Sequence, residues 1–179
     1  MITAKGMARK LTVGEIGIAQ IVFKNAVDYS RVSVHNAGYF PFGLQNDNTA
    51  VTPNGEIYFT PKNFREDYSR ESAGFQHWFI HEMAHVWQYQ MKMNVLLRGT
   101  MSWAATYEYS LPNYNTLADY GMEQQASILA DYFLLIRFSR EEWRRNKRMT
   151  GLEGPDLKTR YETVLRLFLQ EPRNPKAMK

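Results

Sequence analysis

The run His81-Glu82-Met83-Ala84-His85 has the residue types and spacing to hold a metal ion and activate water beside it. On a helix, side chains four positions apart share a face, so both imidazoles can reach one ion. Glu82 follows His81 directly and can lean toward the same point. Two neutral imidazoles beside a carboxylate make half of a zinc hydrolase site, with the carboxylate as general base.

The flanking residues support a helix. No proline interrupts residues 74–97, and Ser72 stands where an N-cap belongs. Phe79, Met83 and Val86 form an apolar stripe, so the helix is expected to be buried. Burying two histidines and a glutamate without a task is costly.

A catalytic zinc site needs a third protein ligand and an open position for water. A histidine six residues after His85 would make a metzincin, but that position is Met91. The gluzincin solution is a glutamate from a later helix. Glu123 stands alone on an otherwise apolar segment, near the N-terminal end of its expected helix, where a carboxylate is favoured. Asp119 is its rival. Asp131 is expected to orient a ligand histidine, and His77 is a candidate accessory ligand or helix-rim residue. The oxyanion donor is expected among Tyr107, Tyr109, Tyr114 and Tyr120, with Tyr109 and Tyr120 the chosen candidates and His35 a weaker one.

These residues need a scaffold. The chain has 179 residues, 44% of them hydrophobic and 14% aromatic, which suits one domain with a real core. Cys 0 excludes a disulfide scaffold and thiolate ligands, leaving histidines and carboxylates. The net charge of +4 owes much to residues 144–148 and 173–179. Such a run is a solvated face or a docking patch for an acidic partner. No nucleic-acid motif accompanies it, so no nucleic-acid partner is expected. No segment is apolar enough to span a bilayer, and the first residues make a poor signal peptide. The expectation is a cytoplasmic product that, if exported, leaves without a cleaved signal.

Thr12 and Glu15 form a capping-box pattern that opens a helix over residues 12–27. Residues 31–35 alternate as a short strand. Residues 50–60 read as a hairpin turning at Asn54-Gly55. After the HExxH helix, residues 99–115 form a long aromatic loop containing Trp103, and loops of that length tend to be functional. A helix over 116–138, a basic helix from Ser139 and an amphipathic helix over 156–169 follow. Residues 1–11 and 171–179 are expected to be flexible.

The residues 79–88, Glu123-Gln124-Gln125-Ala126, Asp131-Tyr132 and 47–59 together resemble small bacterial zincin-like metallopeptidases related to Rhs and VgrG proteins. The resemblance covers about residues 32–132. It implies His81 and His85 as zinc ligands, Glu82 as base and Glu123 as third ligand. It also implies a link to contractile secretion or polymorphic toxin systems, and a secretion-system or toxin partner.

The expected molecule is a helix-rich α+β, zincin-like single domain with a small sheet beside the metal helix. Its expected activity is zinc-dependent hydrolysis of a peptide or protein substrate. Two alternatives are an accessory protein with a structural or vestigial zinc site, and an amidase acting on cell-wall peptides.

Overall fold

A computed structural model describes residues 2–40, 45–93, 95, 106–112 and 114–178 of the chain. Residues 99–105 and 113 of the segment expected to form the aromatic loop, Trp103 among them, lie outside the described residues. The architecture is α+β and helix-rich, with one small sheet. Its strands are β1 (Ala8–Lys10), β2 (Ser33–Asn36), β3 (Ala50–Val51) and β4 (Ile57–Phe59). Its helices are α1 (Val13–Phe23), α2 (Ala73–Gln90), α3 (Met122–Arg137), α4 (Arg140–Asn146), α5 (Leu157–Val164) and α6 (Arg166–Gln170). Among the described residues, no helix is long and apolar enough to cross a membrane.

The sheet order is β1-β2-β4-β3, with β2 and β4 parallel and the outer pairs antiparallel. β3 is thus an edge strand. The expected hairpin is present, and its turn holds Gly55 at φ +82°, a conformation that glycine adopts without strain. A Cβ at Gly55 would also lie 2.5 Å from the Tyr89 ring, so the turn can rest on α2 only with glycine there.

α2 passes through the centre of the molecule. On one side Phe59 of β4 meets Trp78 edge-on, while Tyr68 stacks on both Phe59 and Phe79. Along another side lies α3, whose Ala126 and Ala130 are fully buried. Cross-helix pairs fix an antiparallel register: Gln125 meets Gln88, Glu123 meets His81 and His85, Asp131 meets His77, and Arg137 meets Gln76. Ser72 stands at the N-cap of α2, though its side chain makes no cap hydrogen bond.

α1 ends at Phe23, earlier than the sequence suggests, because Lys24 turns to φ 51°. The helix expected over 116–138 begins only at Met122, after a 3-10 turn at Leu117–Asp119. The last amphipathic helix is broken at Leu165 into α5 and α6. Its predicted inward residues Leu157, Tyr161, Val164, Leu165 and Phe168 are all buried. Both chain ends make defined contacts. Residues 8–10 form β1, and the Pro172 carbonyl accepts the indole N–H of Trp87.

Candidate metal centre

His81 and His85 project from one face of α2, and Glu123 meets them from the first turn of α3. His81 Nε2 lies 3.1 Å from Glu123 Oε2, His85 Nε2 lies 3.2 Å from the same oxygen, and the two Nε2 atoms are 3.2 Å apart. All three side chains are buried. Tetrahedral zinc with bonds of 2.0–2.1 Å would separate its ligand atoms by about 3.3 Å. The donor set therefore fits zinc in both type and spacing.

The tautomer of His85 fits as well. In the neutral ring an Nδ1–H donating to Gln88 Oε1 at 2.8 Å leaves Nε2 a bare lone pair facing His81 and Glu123, the form that binds a metal. Gln88 is itself held, donating to the Met122 carbonyl and to Gln125 Oε1, each at 3.0 Å. Gln125 in turn donates to the Tyr120 and Met178 carbonyls. With only protons to compensate it, this crowding perturbs both partners. Burial opposes a charge on His85, but Glu123 and Glu82 lift it to about 9. Burial likewise pushes Glu123 up, yet His85 and His81 hold its carboxyl well below the usual range.

Glu82 is buried next to the cluster, and its Oε2 accepts the Thr52 hydroxyl at 2.8 Å. Thr52 directly follows β3, so the edge strand and the carboxylate are tied together. Glu82, the three clustered residues, Thr52 and Tyr107 all line one cleft of about 1130 Å³.

The rival and accessory positions fall elsewhere. Asp119 is exposed and spends its carboxylate on the backbone and hydroxyl of Thr116. Asp131 does not reach either clustered histidine. It lies two turns beyond Glu123, and the antiparallel register therefore sets it against His77, at 2.7 Å. Its other oxygen accepts Tyr109 Oη at 2.6 Å and the backbone N–H groups of Arg148 and Met149 at 2.7 and 3.1 Å. Tyr109 is therefore committed to a buried carboxylate, away from the cluster. The Tyr120 hydroxyl donates to the Ser110 carbonyl. Tyr114 is exposed, and His35 stacks on Tyr58 in the sheet.

Of the four loop tyrosines, Tyr107 is the one brought to the site, with its ring 5.9 Å from that of His81. Burial first, then Glu123 and Glu82, push its phenol up to about 12, while Arg148 acts the other way. Sequence reasoning missed Gln88, Gln125 and Thr52. Gln88 carried a usable signal, since it stands one turn after His85 in a buried helix. Thr52 carried none, because its approach to Glu82 depends on tertiary structure.

Fold and site together define a helix-rich α+β domain whose two central helices converge a His–His–Glu cluster at the floor of a cleft. The chain belongs to the family of the effector domain of Pseudomonas aeruginosa VgrG2b. That solved domain is 38% identical and superposes with a TM-score of 0.66, over 79% of this chain and 84% of the domain. The type VI secretion system spike protein VgrG2b of P. aeruginosa is 43% identical over 133 residues, which are 70% of this chain but only 13% of the spike protein. No protein-family model matches the sequence.

Proposed function

We propose that this domain is a zinc-dependent peptide-bond hydrolase that acts as an effector of a type VI secretion system. The observation that carries the reading is the convergence of His81, His85 and Glu123, whose ligand atoms all lie within 4.8 Å of one another. Three protein donors opening into a cleft suit a catalytic zinc, which keeps a coordination position free. The secretory role rests on kinship with the VgrG2b effector domain, and a VgrG-type spike is the delivery partner that kinship suggests.

Zinc, when bound, supplies a Lewis acid that polarises the scissile carbonyl and lowers the pKa of water. The remaining steps belong to the chain. Glu82 takes the proton of the attacking water and returns it to the leaving amine. Thr52 holds the Glu82 carboxylate in place through its hydroxyl. Tyr107 stays protonated at neutral pH and donates to the developing oxyanion. β3 offers an edge against which an extended peptide can pair, and its residues Ala50 and Val51 line the cleft.

The test is metal analysis combined with cleavage of an unbiased peptide library. The wild-type protein is expected to carry stoichiometric zinc and to cut peptides. Glu82→Gln is expected to keep the zinc and lose roughly 10²–10⁴-fold in kcat. Full activity in Glu82→Gln would remove the carboxylate from the mechanism, and metal-free protein under zinc excess would remove the reading itself.

A further inference from the structure

Resting on that reading, we infer that Arg148 forms a carboxylate-binding subsite in the cleft, so that the favoured peptide carries an acidic group. The basic run at residues 144–148 resolves into two kinds of cation. Arg144 pairs with Glu153 at 2.7 Å. Arg145 pairs with Glu141 and, at 2.8 Å, with Glu142. Lys147 donates to the Met149 carbonyl at 2.7 Å and lies 3.4 Å from Glu153. Arg148 differs. Among the described residues no carboxylate lies within 4.0 Å of its guanidinium, and no residue outside that description has an acidic side chain.

Its backbone is nonetheless fixed. The Arg148 N–H donates to the fully buried Asp131, and the next residue, Met149, is buried and bridged to Tyr109. A rigid base thus carries an exposed guanidinium, without a carboxylate partner among the described residues, on the wall of the cleft that holds Glu82 and Glu123. The cleft wall is therefore cationic at Arg148. With zinc bound, the ion balances the charges of Glu82 and Glu123, so Arg148 supplies a fixed cation on the wall that sets where the carboxylate of a bound peptide lies. The planar fork of arginine suits a carboxylate, which it can hold through two parallel hydrogen bonds. That carboxylate can come from an aspartate or glutamate side chain or from a peptide C-terminus.

Binding tests this without turnover. Zinc-loaded Glu82→Gln protein is titrated with matched fluorescent peptides that differ by Glu against Gln at each position, and by a free acid against an amide at the C-terminus. One carboxylate-bearing arm is expected to bind about fivefold tighter than its neutral twin, as befits a partly exposed ion pair with good geometry. The arm that shows the preference identifies the source of the carboxylate. Adding Arg148→Gln is expected to abolish the preference, while Arg148→Lys keeps part of it. The exposed side chain makes these substitutions compatible with folding, which a melting curve checks. Equal binding of all twins, a preference that survives Arg148→Gln, or no peptide binding would each overturn the subsite. The protein with Glu82 intact separates the two ideas. Cleavage of acidic and neutral peptides alike removes Arg148 and leaves the hydrolase, whereas cleavage of none removes the hydrolase.

Discussion

At the scale of single residues, the proposed zinc site is only as good as the groups that hold its ligands still. Gln88 fixes the ring of His85 from behind, and Gln125 with the Met122 carbonyl fixes Gln88. Removing such outer partners elsewhere weakens metal binding by about 10–100-fold. Gln88→Met keeps the bulk of the side chain and deletes its acceptor. It is expected to lower zinc affinity within that range, read by competition with a chromophoric chelator, while the far-ultraviolet spectrum of the folded protein is retained. Affinity unchanged by the substitution would mean that helix geometry alone holds His85. The clustering of these residues was legible in the sequence because a helix turns spacing into direction: His81 and His85 had to share a face. Glu123 was legible as a lone acid on an apolar helix. The tyrosines were not, because a loop converts spacing into no fixed direction. Tyr109 goes instead to Asp131, a buried carboxylate that needs several donors.

At the scale of elements, the sequence showed where helices and strands form more clearly than where they stop. Thr12 and Glu15 do form a reciprocal capping box. Glu15 is also fully buried, accepts both Arg9 Nη groups at 2.7 Å and takes the Tyr68 N–H at 2.9 Å, so one cap residue joins β1, α1 and the turn before α2. No local pattern reveals that. The end of α2 was hidden for another reason. Helices that close with a left-handed residue normally signal it with glycine, but here the residue is Lys92, at φ 71°. The Met93 N–H reaches the Gln88 carbonyl and the Lys92 N–H reaches that of Tyr89, both at 2.9 Å, which is the Schellman pattern. A lysine in that conformation costs about 1–2 kcal/mol in its backbone. Lys92→Gly relieves the strain and loses part of the gain to the freer unfolded chain, so a net stabilisation of about 0.5–1 kcal/mol is expected in urea unfolding. Destabilisation would show that the lysine side chain makes a compensating contact.

At the scale of the whole molecule, the cluster sits where two central helices meet, so the proposed zinc should act on global stability. α2 packs against the sheet through Trp78 and Phe79 and against α3 through the His–Glu pairs. α3 reaches the C-terminal helices through the Tyr109–Tyr161 contact with Asp131. A ligand that binds only the native state stabilises it by about 4 kcal/mol when present at a thousand times its Kd. For a chain of this size each kcal/mol shifts Tm by about 2–4 °C, so chelation is expected to lower Tm by about 8–16 °C. His85→Ala should melt at one temperature with or without zinc, and Glu82→Gln should respond to zinc as the wild type does, because Glu82 lies outside the His81–His85–Glu123 cluster. The shape of the melt tests whether one domain spans the chain. A single cooperative core moves as one transition under near- and far-ultraviolet detection. Two transitions, only one of them moved by zinc, would mean that the C-terminal helices fold apart from the metal-binding pair despite the Asp131 contacts.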